Sequence, residues 1–153
     1  MFSQSSLGSR AAARRRLPHA ELEIDVEEAA GLRAVIVRGE LDVSTAPELD
    51  AALDTAPAQP LDLFVDLSAL EFMDCAGAHR LAAAGSHQRA RGRQFAIACA
   101  PTGEVARLFE TLAASGLELP VFPSQADALR AALAPPALAR ALSHDAGAIN
   151  PSR

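Results

Sequence analysis

The stretch that decides the fold runs from Leu61 to Gly77 and reads LDLFVDLSALEFMDCAG. Its apolar beginning, Leu63 to Val65, is typical of a buried strand. The stretch turns polar at Asp66 and ends in DCAG at residues 74–77, directly before an alanine-rich segment with helical character. Because a helix starts there, free backbone N–H groups and the positive end of a helix dipole should converge on residues 74–77. The sequence therefore predicts a site for an anion or an activated side chain, and the side chain on offer is the thiol of Cys75.

Composition limits the class of protein. The chain has 153 residues, half of them hydrophobic, which is enough for one domain with its own core. No apolar run approaches the roughly 18 residues of a membrane span, and the N-terminus lacks the apolar segment of a secretory signal. Two cysteines do not form a disulfide framework. We therefore expect a cytoplasmic protein with a disordered basic leader over residues 1–19, one domain over residues 20–134 and a flexible tail over residues 135–153.

Charge is unevenly distributed along the chain. Residues 1–19 carry four arginines and no carboxylate, whereas residues 20–134 carry eight arginines against eighteen carboxylates, a net charge of −10. An acidic body repels a phosphate backbone, which argues against nucleic acid as the main ligand. The same charge suits a protein partner with a basic face, or serves only to keep the domain soluble.

Hydrophobic periodicity divides residues 20–134 into strands and helices. Thr45 and Glu48 have the spacing of a capping box. Repeated strand–helix units imply right-handed crossovers and a mainly parallel sheet. We predict a single α/β domain with an N-terminal β-hairpin and a mixed sheet of four to five strands flanked by four helices. The predicted strands are Leu22–Val26, Leu32–Val37, Leu63–Val65, Gln94–Ala100 and Leu119–Phe122, with a turn at Ala30-Gly31 between the first two. The four predicted helices are one capped by Thr45, one that runs to about Arg89, one opened by Pro101 and closed by Gly116, and one capped by Ser124.

Motifs of catalysis and metal binding are absent from the sequence. It contains no dinucleotide fingerprint, Walker phosphate loop, nucleophile elbow, HExxH or CxxC pattern. His79 and His87 are eight residues apart on one predicted helix, the wrong spacing for a shared metal. Asp66 and Asp74 are a candidate acid pair, although loop carboxylates more often cap backbone groups. We expect no enzyme activity, no metal and no cofactor, because nothing assembles a nucleophile, a base and an oxyanion hole.

The surroundings of two aspartates carry a family resemblance. Ligands of parallel α/β sheets bind at the carboxyl ends of strands, and Asp42 and Asp74 both follow predicted strands, so they are candidates for one rim. GELD at residues 39–42 with STA at residues 44–46, the strand at residues 63–67, and FMD at residues 72–74 with Gly77 resemble the STAS domain of anti-sigma factor antagonists. The resemblance spans roughly residues 20–134.

This resemblance implies a bacterial, cytoplasmic domain without enzyme activity that regulates transcription, for example in a stress response. Such a domain binds an anti-sigma factor that is also a serine kinase, and thereby releases a sigma factor. The kinase typically phosphorylates a serine directly after the aspartate at the helix N-terminus, and a phosphatase restores binding. The partner-binding residues that the resemblance implies are Asp42, Ser44, Thr45, Asp74, Cys75, Ala76, Gly77 and Arg80.

The chain departs from the family pattern at the phosphoacceptor. Cys75 occupies the position of the serine, and Ala76 beside it offers no hydroxyl. Serine kinases act on hydroxyls, so we expect an antagonist without the usual phospho-switch. Ser44, Thr45 and Ser68 are other hydroxyls near the predicted rim, but none occupies the family's position.

Three functions remain open on the sequence. The first is an antagonist that docks an anti-sigma factor. The second is a STAS subunit of a stress-sensing or lipid-transport assembly. The third is an enzyme with Cys75 as nucleophile. Asp74 and His79 are the candidate bases near it in the sequence. A further hypothesis places Cys75 and Cys99 on one rim as a redox input, against the simpler view that Cys99 is a buried small hydrophobe.

Overall fold

The computed structural model describes residues 21–54 and 60–134, so the predicted leader and tail lie outside the described residues. Within these ranges, hydrophobic periodicity has produced five strands and four helices. In chain order they are β1 Leu22–Ala29, β2 Leu32–Leu41, α1 Ala46–Leu53, β3 Asp62–Met73, α2 Cys75–Ala90, β4 Phe95–Ala98, α3 Glu104–Ala114, β5 Val121–Phe122 and α4 Gln125–Leu133.

The five strands form one mixed sheet in the order β1-β2-β3-β4-β5. β1 is antiparallel to β2, and the later pairs are all parallel. Ala30 and Gly31, which connect β1 to β2, both have positive φ, as expected for a tight hairpin turn that follows the twist of the strands. The predicted α/β class, the N-terminal hairpin and the mixed sheet flanked by four helices are confirmed.

The main correction concerns the length of β3. The strand was predicted at Leu63–Val65, but β3 continues to Met73 and pairs with β2 as far as Leu41. Asp66 is tolerated inside the strand because its carboxylate accepts hydrogen bonds from Ser68 N, at 2.9 Å, and from Gln125 Nε2 on α4. The Asp66 carboxylate thus has partners within the fold, and the ladder with β2 holds the backbone extended.

The predicted capping box at α1 is wrong. Thr45 precedes the helix, yet its side chain makes no capping hydrogen bond with it. Its Oγ1 instead accepts from Asp42 N at 2.9 Å, and the residue is only 8% exposed. The backbone N–H of Thr45, which a capping box would offer to the Glu48 side chain, donates instead to Asp42. Ser124 does cap α4 as predicted, since its Oγ accepts from Asp127 N at 3.1 Å.

Helices cover both faces of the sheet because side chains alternate along each strand. Leu63 and Val65 of β3 belong to a large core shared with α1, α2 and α3, whereas Phe64 between them belongs to a smaller core shared with α4. The larger core continues to Leu41 and Met73, at the ends of β2 and β3. Both strand ends are therefore anchored, and the loops that follow them start from fixed positions.

Gly39 is the point of closest backbone approach in the hairpin. Its φ is +95°, and a Cβ added there would overlap the carbonyl oxygen of Glu21, the residue before β1. Gly92 also has a positive φ, of +70°, but no atom of the described residues lies within 4 Å of its Cβ position. A side chain at residue 92 would therefore meet backbone strain alone, whereas a side chain at residue 39 would meet backbone strain and a steric clash.

We predict that Gly39→Ala lowers the free energy of unfolding by about 3 kcal/mol, because it adds a backbone clash to an unfavourable φ. The matched variant Gly92→Ala should cost only about 1 kcal/mol, the strain of the left-handed backbone. Urea denaturation of both variants and wild type measures the difference. Equal losses would show that the hairpin accommodates a side chain at residue 39.

Candidate functional site

Two loops leave the sheet side by side at the carboxyl ends of β2 and β3. Leu41 pairs with Met73, and Asp74 N donates to Leu41 O at 3.1 Å. Because the strands are parallel, Asp42 and Asp74 emerge at the same edge, as their positions after two predicted strands suggested. We call the surface formed by residues 42–45 and 74–77 the β2–β3 rim.

The carboxylate of Asp42 organises the first loop of the rim. Its Oδ1 accepts hydrogen bonds from Ser44 Oγ at 2.7 Å, Ser44 N at 2.9 Å and Thr45 N at 3.1 Å. These hydrogen bonds, that from the Ser44 hydroxyl above all, hold the pKa of the Asp42 carboxyl below its usual value and outweigh the opposing effect of burial. The loop is thus held by an ionised carboxylate at neutral pH.

Backbone hydrogen bonds close the same loop from within. The carbonyl oxygen of Asp42 accepts from Thr45 N at 3.1 Å and from Ala46 N at 2.8 Å, and Asp42 N donates to Thr45 Oγ1. Val43 lies between these anchored residues and is 69% exposed. The result is a short, internally bonded loop with an apolar side chain at its surface.

The second loop of the rim is the N-terminus of α2. Asp74 is the N-cap, and its Oδ1 accepts from Gly77 N at 3.1 Å. The chain's own carboxylate therefore occupies part of the anion site that the sequence predicted. A Cβ on Gly77 would lie 2.7 Å from Leu41 Cδ2 and 2.9 Å from Met73 Cγ. Gly77 thus lets the first turn of α2 press against the ends of both strands.

Cys75 begins α2 and its side chain is exposed. His79 Nδ1 lies 2.8 Å from the carbonyl oxygen of Cys75, so the imidazole contacts the backbone of this residue. Asp74 uses its carboxylate to cap the helix. No described side chain is hydrogen-bonded to the Cys75 thiol, which gives the nucleophile hypothesis no base in this arrangement.

The two cysteines do not share a rim. β4 pairs with the first part of β3, where Ala98 lies opposite Asp66, so Cys99 is level with Leu67. From there β3 continues to Met73, a rise of about 20 Å at about 3.3 Å per residue. Both thiols are free, and burial raises the pKa of the Cys99 thiol to about 11. A disulfide needs Cα atoms within about 7 Å, so the redox pairing has no structural support, and Cys99 is a buried small side chain.

Arg80 is committed to a contact between helices. Its guanidinium forms an ion pair with Asp50 of α1, and both side chains are partly exposed. Among the other residues implied by the resemblance, Thr45 and Gly77 are buried, Ala76 is half-buried, and Ser44 and Cys75 are exposed. The exposed part of the rim thus consists mainly of Val43, Ser44 and Cys75, with the carboxylates of Asp42 and Asp74 half-buried beside them.

Other candidate residues lie away from the rim. Asp66 is buried and separated from Met73, the residue before Asp74, by about 23 Å of strand rise. The alternative acid pair of Asp66 and Asp74 is therefore not formed, and Ser68 lies on β3, outside the rim. His79 and His87 are both exposed on α2, and the described residues contain no group that fits a metal ion. No helix within them has the length and apolar character to cross a membrane.

Sequence reasoning missed three residues of the site and its support. Asp50 contacts Arg80 from a different helix, and Gln125 satisfies Asp66 from 59 positions away. Neither pairing has a signal in one sequence, because the contacts depend on how the helices pack. Val43 was passed over because a single valine near a strand end is ordinarily assigned to the core.

The fold and the rim define a small α/β domain with two ordered loops at adjacent strand ends, and no catalytic group is assembled among the residues described. Comparison with protein families agrees, since residues 23–128 match the STAS domain. The chain belongs to the STAS domain family.

Solved structures share this fold. The chain is similar to an anti-sigma factor antagonist from Mycobacterium paratuberculosis, with 30% identity, a TM-score of 0.62, and coverage of 73% of this chain and 94% of that one. It is also similar to murine solute carrier 26 family member A9, an anion transporter, with 21% identity and a TM-score of 0.50. That match covers 67% of this chain but 18% of the transporter, and it shows the fold alone. A search of curated proteins found no match.

We predict that Asp42→Ala lowers the free energy of unfolding at pH 7 by about 1 kcal/mol, because the loop loses its central acceptor. The pKa of Asp42 is lowered in the folded state from 3.8, so its contribution is present above that value and is lost as the pH falls through the lowered pKa. The difference between variant and wild type should therefore be complete at about pH 5 and should shrink as the pH falls below 3.8. Urea denaturation across this range measures it.

Asp54→Ala is the matched control for this prediction. Asp54 is exposed and makes no side-chain hydrogen bond within the described residues. Its removal should change stability by less than about 0.5 kcal/mol at either end of the pH range. A loss for Asp42→Ala that does not vary with pH would mean that the charge of residue 42 does not hold the loop.

Proposed function

We propose that this protein is an anti-sigma factor antagonist that binds an anti-sigma factor and frees a sigma factor to act in transcription. The observation that carries the proposal is the 30% identity to an anti-sigma factor antagonist across 94% of that chain. Membership of the STAS family over residues 23–128 supports it. The domain acts by binding, without enzyme activity, in the bacterial cytoplasm, as the family resemblance implies.

The β2–β3 rim is the proposed docking surface. Ser44 and Cys75 are exposed, and Asp42 and Asp74 give the surface negative charge. The loops themselves contain three less exposed residues, the buried Thr45 and Gly77 and the half-buried Ala76. Arg80 links α2 to α1 through its ion pair with Asp50. A surface of this charge fits a basic face on the partner, whose approach it would accelerate.

The proposed antagonist works without the usual serine phospho-switch. Phosphorylation would add a charge of about −1.5 to −2 at the rim. Cys75 stands where the family has its acceptor serine, and Ala76 has no hydroxyl. An anti-sigma factor of the serine-kinase type would then bind this protein without being able to inactivate it at that position.

The alternative is a STAS subunit of a stress-sensing or lipid-transport assembly. The transporter similarity bears on it only through the fold, because the identity is 21% and the match covers 18% of the transporter chain. The greater identity and nearly full coverage of the antagonist favour the first function.

Binding assays with purified serine-kinase-type anti-sigma factors of the source organism test the proposal. One of them should bind the wild-type chain and release its sigma factor as the antagonist is titrated. Asp42→Lys and Asp74→Lys should slow association about tenfold at low salt, since rim charges chiefly affect the association rate. Glu110→Lys on the exposed surface of α3 makes the same charge change away from the rim and should associate like wild type. The absence of binding by every such anti-sigma factor would refute the function, and unaltered association of both rim variants would refute the surface.

Phosphate transfer tests the role of residue 75. Incubated with the bound kinase and ATP, wild type should take up no phosphate at Cys75, whereas Cys75→Ser should be labelled at that position. Cys75→Ala serves as the control that has neither a thiol nor a hydroxyl. Mass spectrometry locates the phosphate. Strong labelling of wild type at Ser44, Thr45 or Ser68 would show that the switch has another acceptor.

A further inference from the structure

Val43 is the most exposed large hydrophobic residue in the part of the chain that the structure describes. It is 69% exposed, and the others with large exposure are Leu133 at 59% and Phe72 at 38%. Single exposed hydrophobic residues are common on protein surfaces. Val43 differs from such residues in its position, because it lies at the centre of a loop whose two sides are fixed.

The loop around Val43 is held before any partner arrives. The carboxylate of Asp42 on one side accepts three hydrogen bonds, and Thr45 on the other side is buried with its hydroxyl bonded back to Asp42. Valine is branched at Cβ and has few rotamers to lose. Little conformational entropy would therefore be lost when this side chain enters a pocket, which is the condition under which a small apolar contact contributes most to affinity.

Val43 follows Asp42 directly, Asp74 begins the neighbouring loop, and both loops belong to acidic stretches of the sequence. Residues 40–50 and 71–80, which contain both loops of the rim, hold six carboxylates against one arginine, and that arginine is paired with Asp50. An apolar side chain at the centre of a contact, with polar groups at its border, is an arrangement found in protein interfaces. The complementary partner surface is an apolar pocket bordered by arginine or lysine.

Resting on the proposed function, we infer that Val43 is the apolar anchor of the rim and inserts into a basic-rimmed apolar pocket of the anti-sigma factor. The anchor sets how long the complex lasts, and the carboxylates around it set how fast the complex forms. Ser44 and Cys75 lie at the border of this contact. Val43 thus determines affinity although it carries no polar group.

Surface plasmon resonance with the anti-sigma factor that binds wild type tests the inference. Val43→Ser should raise the dissociation rate about tenfold or more, with the association rate and its dependence on salt unchanged. Val43→Thr keeps the shape and branching of valine and should show the same direction of change. Val43→Ile should retain binding, and Leu133→Ser, which removes an exposed hydrophobic residue from α4, should dissociate like wild type. Thermal melting checks that each variant is folded.

The outcomes separate the inference from the proposed function. If no anti-sigma factor binds wild type, the proposed function fails and the anchor fails with it. If wild type binds while Val43→Ser and Val43→Thr dissociate within about threefold of wild type, the function stands and the anchor is refuted. The anchor is also refuted if Leu133→Ser accelerates dissociation as much as Val43→Ser, because the effect would then not belong to the rim.

Discussion

Pairing of β2 with β3 along their whole length is the constraint on which the site depends. Leu32 pairs with Asp62 and Leu41 pairs with Met73. Between these two pairs β2 has nine residue steps and β3 has eleven. Two register shifts, between Ile36 and Arg38 and between Gly39 and Glu40, absorb the two extra residues. Such bulges bend and twist a strand without ending its ladder. As a result, both strands finish at the same level, and the loops after them emerge as neighbours.

Close packing of side chains then holds the ends of β2 and β3 in place. Leu41 and Met73 end the two strands inside the larger core, and Gly77 brings α2 against both of them. The N-terminus of the helix is thereby held to the strand ends, with Asp74 as its cap and Cys75 at the surface. Each loop of the rim is bonded internally and is also anchored to the core.

Sequence patterns predicted the fold well where the signals are local. Alternation marked the hairpin, Ser124 marked the start of α4, and the order of elements determined the parallel sheet. The length of β3 was missed because its distal half is held by β2 and by a partner for Asp66 that comes from α4. At Thr45 a local rule failed, because the Asp42 loop competes with the helix for one hydroxyl.

The sequence predicted where the candidate site lies better than it predicted which side chains of the site are exposed. Two aspartates after two strands indicated a rim, but burial distinguishes Ser44, at the surface, from Thr45, beneath it. Arg80 was predicted to contact a partner, but in the structure its guanidinium pairs with Asp50. These assignments depend on the packing of α1 against α2, which no pattern within a single helix encodes.

In the proposed antagonist, residue 75 has a thiol in place of the hydroxyl on which a serine kinase acts, so phosphorylation by such a kinase does not change the charge of the rim at that position. The hydrogen bonds that lower the pKa of Asp42 keep that carboxylate ionised at neutral pH. Asp74 already binds the N–H group of Gly77, so the helix N-terminus is capped without a phosphate. If the rim docks a partner with a basic face, as proposed, residue 75 does not change the charge that this partner meets. In an antagonist built this way, control falls to the amounts of the two proteins and to the state of the partner, since association follows mass action alone.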